Sequence, residues 1–319
     1  MKLRILSDLH LHINKKYPLD IPNNYDYTLI AGDIGPDYKS NVEWIRKNIH
    51  KGAFISGNHD AYTFDNTPIE DVKEFYHKEF PLESDITYFD YSVGVMSKEL
   101  DDNLLLVADV LYTDYSIKCS QYDNDLSESQ LVELNMKRAA PKMSGSYMND
   151  FRYFTRCSEY SYSSDKDKNR YYLTPKYYLN HFTKSFNKIT EIVENNKDKE
   201  IVLMTHHCLS PLCCSEWMDK KSLFASYVTD KEQWIKDHEN IKLVVSGHIH
   251  NEKNFNIGNT LYVMNPLGYC RENHDIINKW SQDFFVDTKT WKVEKNQYNN
   301  NWDEQHQKDD DFFNSLLFI

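Results

Sequence analysis

Five apolar, β-prone stretches in this 319-residue chain are each followed, within about three residues, by Asp, Asn or His, and that placement constrains the fold most. Asp8 and His10 follow Lys2 to Ser7, Asp33 follows Tyr27 to Ala31, and Asn58 follows Ala53 to Ser56. His206 follows Ile201 to Thr205, while His248 and His250 follow Lys242 to Ser246. In layered α/β folds, functional groups collect at the carboxyl ends of strands, so these side chains can converge. Between the second and third strands, Val42, Ile45 and Ile49 repeat at helical spacing, with Ser40 as the expected N-cap. This strand–loop–strand–helix–strand rhythm predicts an α/β layered fold.

Further along, helices are expected from Ile69 to Phe80, between Ser127 and Ala139, and from Pro175 to Asn195, where Pro175 suits a first turn. Additional strands are expected at Leu104 to Ala108, Thr260 to Met264 and Asp283 to Asp287. The stretch from about 115 to 170 turns rich in Ser, Asp, Asn, Lys and Tyr and reads as a cap-like insertion over the core or a surface excursion. Residues 1–295 are read as one domain; 296–319 form a polar tail ending in the apolar segment 312–319.

The net charge of −12 argues against non-specific duplex binding, which needs a broad basic surface, although a local phosphate pocket remains compatible with it. None of the six cysteines forms a C-x-x-C pair, which speaks against a zinc knuckle and for reduced thiols. The N-terminus lacks the apolar run of a signal peptide, and no stretch approaches the roughly 20 apolar residues of a membrane span. A soluble, cytoplasmic protein with no membrane partner is the expectation; the oligomeric state is left open.

Asp, Asn and His supply oxygen and imidazole nitrogen donors, which suit Mn, Fe or Zn rather than a soft thiolate site. Two divalent cations roughly 3.5–4 Å apart can hold a phosphoryl oxygen and activate a bridging water for in-line attack. Gly32, Gly57 and Gly247 each precede a proposed ligand, where the missing Cβ lets the backbone turn and approach closely.

The segments Asp8-Leu9-His10, Gly32-Asp33-Ile34-Gly35, Gly57-Asn58-His59-Asp60, the strand end at His206, and Gly247-His248-Ile249-His250 resemble, in order and spacing, the five-motif signature of calcineurin-like metallophosphoesterases. LYTDY at 111–115, MNDF at 148–151, MTHH at 204–207 and NPLGY at 265–269 are similar to a bacterial and phage branch, extending the resemblance to about residue 290. The resemblance implies a four-layer α/β/β/α sandwich with two facing mixed sheets. It implies two divalent metal ions, Mn²⁺ foremost, with Asp8, His10 and His250 on one, Asn58, His206 and His248 on the other, and Asp33 bridging. His59 matches the family's catalytic histidine, and Asp60 would either orient its imidazole or serve as a structural acceptor. On the substrate side, His12, His207, Asn149, Asp150, Arg152 and Arg271 are candidates.

The implied activity is metal-dependent hydrolysis of a phosphodiester or phosphomonoester by attack of a metal-bridging water or hydroxide, with a nucleotide or other small phosphoester as first expectation. The alternatives are a protein Ser/Thr phosphatase, a nuclease, and a non-catalytic scaffold on the same fold. Retention of His59 and every expected ligand disfavours the scaffold.

Overall fold

Alternating burial along the strands builds two sheets that share one interior. In β1 (Lys2–Leu6), β2 (Tyr27–Ala31) and β3 (Gly52–Ile55), Leu3, Ile5, Leu29, Ala31, Ala53 and Ile55 point to one face. They meet Leu104, Leu106, Val202, Met204, Leu243 and Val245 from β6 (Leu104–Asp109), β7 (Glu200–Thr205) and β8 (Ile241–Val245). Successive side chains point to opposite faces, so the intervening residues form the two outer faces. Leu6, Ile30 and Phe54 pack under α1 (Tyr38–Asn48) and α2 (Ile69–Glu79). Leu105, Val107, Ile201 and Leu203 pack under α4 (Pro175–Asn195). The result is a four-layer α/β/β/α sandwich. The computed structural model describes residues 1–14, 25–65, 67–140, 148–151, 173–214, 222–269, 280–281 and 283–295.

Each sheet has six strands and is mixed. The first runs β12-β11-β1-β2-β3-β4, with β4 (Ile86–Phe89), β11 (Phe284–Asp287) and β12 (Lys292–Lys295) completing it. The second runs β5-β6-β7-β8-β10-β9, adding β5 (Ser97–Glu99), β9 (Lys253–Ile257) and β10 (Thr260–Met264). β1 to β4 are mutually parallel, as are β6, β7, β8 and β10, so each sheet gathers its carboxyl ends at one edge.

One expectation needs correction. The N-cap of α1 is Asp37, not Ser40: the Asp37 carboxylate accepts from Ser40 N at 3.2 Å and Ser40 Oγ at 2.7 Å. Asp37 stands three residues before the amide it accepts, as an N-cap must, whereas Ser40 already lies inside the first turn. The described residues of the insertion pack against the core. Its helix α3 (Glu128–Ala139) starts at a full capping box between Ser127 and Gln130, and Ala139, Met148 and Phe151 join Tyr112, Tyr177 and Tyr178 in a buried cluster. Among the described residues no helix is long and apolar enough to cross a membrane. Arg152, Arg271 and the tail 296–319 lie outside the described residues.

Candidate metal centre

Where the strands end, the loops keep following one another. Asp8 N donates to Gly32 O at 3.0 Å, His10 N to Asp33 O at 3.0 Å, and Gly247 N to His206 O at 3.1 Å. These bonds carry the parallel pairing beyond the strands within each sheet, and His248 N, donating to Asp8 Oδ1 at 2.9 Å, joins one sheet's loops to the other's. Asp8, His10, Asp33 and His248 all adopt positive φ, at 52°, 41°, 56° and 68°. Such backbone costs about 1–3 kcal/mol per residue and persists where the surroundings impose it, typically at functional sites.

The glycines explain the close approach. A Cβ on Gly57 would stand 2.0 Å from Asp33 Oδ1, and one on Gly247 would stand 2.8 Å from Asp8 Oδ2. Neither has positive φ; only Gly32, at 86°, also needs glycine for its conformation. Of the two reasons expected for these glycines, the turn applies at Gly32 alone and the close approach at all three.

Around the buried Asp33 carboxylate the donors fall into two groups. Its Oδ2 is 3.7 Å from His10 Nε2, which is 3.1 Å from His250 Nε2, itself 3.6 Å from Asp8 Oδ1. Its Oδ1 is 3.5 Å from His206 Nε2, and Asn58 Oδ1 lies 3.0 Å from both His206 Nε2 and His248 Nδ1. Separations near 3 Å are those of donors sharing one cation through bonds of about 2.1 Å. Asp8 Oδ2 and His248 Nε2 are buried without a hydrogen-bond partner among the described residues. His206 Nδ1 meets the carbonyl of Ala31 at 2.8 Å; a carbonyl only accepts, so Nδ1 carries a proton and Nε2 is the nitrogen turned inward, toward the other donors.

The electrostatics agree with a cation-binding pocket. Burial holds His10, His207 and His248 well below the ordinary histidine range, leaving neutral rings with lone pairs to give. Burial disfavours a charge on His206 too, yet the Asp33 carboxylate beside it pushes its pKa up to about 9. Asp33 is drawn well below the carboxylate range, against its burial, by the neighbouring His206 and His59 rings. The same negative field would attract a metal ion. The donor set, its spacing and the clearances around it fit divalent metal.

His59 lies beside these donors, with a ring nitrogen within 4.8 Å of a His10 nitrogen and an Asp33 carboxylate oxygen. Its backbone N–H donates to Asp33 Oδ1 at 2.8 Å, its ring packs 4.7 Å from His10, and its Nε2 lies 2.8 Å from the Tyr269 hydroxyl. Asp60 does not address the imidazole. Its carboxylate accepts from the amides of Asp33, Gly35 and Gly57 at 3.0, 3.1 and 2.6 Å, tying two loops together. Of the two roles weighed for Asp60, the structural acceptor is the one its geometry supports. His12 is half-buried, with its ring 6.5 Å from His59 and 6.2 Å from the exposed Phe64. His207 is fully buried and stacks on His248 at 4.0 Å. Asn149 is turned to the surface, and its neighbour Asp150 enters the site instead. Tyr62 and Tyr178, which contact site residues, carried no signal beyond their membership of an aromatic-rich sequence, whereas Tyr269 closes the NPLGY stretch without a role having been assigned to it.

With the geometry in hand, solved structures supply the fold. The phosphopantetheinyl hydrolase PptH of Mycobacterium tuberculosis superposes with a TM-score of 0.57 at 15% identity, covering 86% of this chain and 94% of that one. The chain has a metallophosphoesterase fold. A protein described as a 5'-nucleotidase from Staphylococcus aureus, in complex with α-ketoglutarate, gives a TM-score of 0.44 at 11% identity over 96% of this chain and 56% of that one. The Thermus thermophilus sulfate thiohydrolase SoxB with glycerol gives 0.34 at 11% identity over 75% and 33%. These two overlaps are too loose to add to the argument. No family model and no curated protein matches the sequence.

Proposed function

We propose that this chain is a metal-dependent phosphoester hydrolase with a dinuclear centre. The observation that carries the reading is the division of buried donors between the two oxygens of Asp33. Asp8, His10 and His250 would hold one divalent ion, Asn58, His206 and His248 the other, with Asp33 shared; Mn²⁺ is favoured over Fe and Zn. When bound, such a pair supplies Lewis acidity toward a phosphoryl oxygen and acidifies water.

His59 is the side chain free for proton transfer, because its ring is partly exposed whereas most donors are buried. The Tyr269 hydroxyl at Nε2 steadies the ring and its tautomer, and His59 gives its proton to the leaving alkoxide. A nucleotide or other small phosphoester is the favoured substrate class, since residues from the insertion reach the site.

The test uses metal-stripped protein with bis-p-nitrophenyl phosphate and p-nitrophenyl phosphate, with and without Mn²⁺. Restored hydrolysis that falls about 10²–10⁴-fold in His59→Ala, with Mn²⁺ binding retained, is the expected result. Asp33→Asn should weaken uptake of both ions in calorimetry. A wild-type chain that takes up no metal would overturn the proposal.

A further inference from the structure

Asp150 belongs to the insertion, lies far in sequence from every candidate ligand, and is nevertheless buried against one of them. It sits in a single helical turn, Asn149–Phe151, that Met148 and Phe151 anchor in the aromatic cluster with Tyr112 and Tyr178. Its Oδ1 accepts from Asn58 Nδ2 at 2.9 Å and from the Tyr62 hydroxyl, and its Oδ2 accepts from the Tyr178 hydroxyl at 3.1 Å. A carboxylate only accepts, so it admits the NH₂ end of the Asn58 amide and repels the carbonyl end. The opposite end, Oδ1, is thereby turned toward His206 Nε2 and His248 Nδ1, 3.0 Å from each.

We propose that Asp150 is a positioning residue for the metal centre: it fixes the Asn58 amide with its oxygen toward the ion shared with His206 and His248. Without it the amide has two nearly isosteric orientations, one of which offers N–H groups where a cation must sit. Tyr62 and Tyr178 hold the carboxylate from either side, which leaves Asp150 itself little freedom to rotate. The insertion is thus part of how one metal site is built and not only a cover over it. This inference rests on the metal-centre reading of the site.

The experiment is Mn²⁺ titration calorimetry on the metal-stripped full chain, with near-UV circular dichroism as the control for packing. Wild type should bind two equivalents. Asp150→Ala should weaken one of the two about 10–100-fold, the scale for loss of a partner that orients a metal ligand, and leave the other within about twofold. Should Asp150→Ala lose its near-UV signal, exchange of the two groups decides. Asn58→Asp alone sets carboxylate against carboxylate and should bind the affected ion poorly. Asn58→Asp/Asp150→Asn restores a donor facing an acceptor and should recover at least tenfold of that affinity. A folded Asp150→Ala with both affinities unchanged, or a double variant no better than Asn58→Asp, would overturn the proposal. Wild type binding no Mn²⁺ would overturn the metal-centre reading itself, and this inference with it.

Discussion

At the scale of single residues, steric clearance separates positions that build the site from positions that merely turn the chain. Gly57 is the sharper case, since a Cβ there would meet Asp33 Oδ1 at 2.0 Å and Asp33 N at 2.5 Å, and backbone cannot swing aside. Gly57→Ala should therefore lose Mn²⁺ binding in calorimetry and lower the thermal midpoint. Gly94 serves as the comparison: its φ is +77°, but nothing lies within 4 Å of an added Cβ. Gly94→Ala should cost only backbone strain, about 1–2 kcal/mol in urea denaturation, and leave metal uptake unchanged. The candidate ligands were legible in the sequence because strand ends announce them, as at Asp33 after Tyr27–Ala31 and His206 after Glu200–Thr205. Asp150 and Tyr269 fall in the quoted MNDF and NPLGY stretches, but their partners were not legible, because their hydrogen bonds to Asn58 and His59 span 92 and 210 residues.

Elements repeat the lesson at larger scale. β2 and β10 were readable to the residue because all five positions of each are buried and apolar or β-prone. The strands that sequence reasoning passed over, β4, β5, β9 and β12, all lie at sheet edges. Three of them expose Lys, Glu or Asn along much of their length, as in Lys253-Asn254-Phe255-Asn256. Charged residues on an edge blunt pairing with other chains, and the same residues erase the hydrophobic signal. β4 is different: Ile86-Thr87-Tyr88-Phe89 is as β-prone and as short as β3, which was read, and its Tyr88 and Phe89 are buried. In the insertion, by contrast, Ser127 was a readable helix start, and its side chain accepts from Gln130 N. Ser127→Ala removes that cap and should destabilise α3 by about 0.5–2 kcal/mol, read as faster amide exchange at residues 128–131 with the sheets unaffected.

Over the whole molecule, a second buried polar cluster joins the helical layers that cover the two sheets. Lys73 of α2 reaches Asp90, just past β4, at 2.8 Å, and approaches His181 of α4 at 3.5 Å. Asp109, which ends β6, accepts from Ser185 Oγ of α4 at 2.6 Å and from the amides of Tyr91 and Leu111, with His181 Nδ1 at 3.6 Å. The three acidic and imidazole groups lie close enough to hold a metal ion, but the Lys73 ammonium already supplies the cation. Burial opposes the charge on Asp90, yet Lys73 holds its carboxyl well below the usual range; Lys73 is likewise held above its own despite burial. The Asp90 contribution is therefore complete above the unfolded carboxylate pKa of about 3.9 and fades as pH falls toward the depressed folded value. The Lys73 contribution is present below the unfolded lysine pKa of about 10.4 and fades as pH rises through its raised folded value. Lys73→Met leaves the Asp90 carboxylate buried without its counter-charge, which should cost about 3–5 kcal/mol at pH 7. In that variant Asp90 is the raised-pKa group, so protonation relieves the penalty. Urea denaturation of wild type and variant should show a gap that narrows steadily between about pH 7 and pH 4. A gap independent of pH would instead assign the loss to packing of the lysine stem, and the ionic tie between the two helical layers would be refuted.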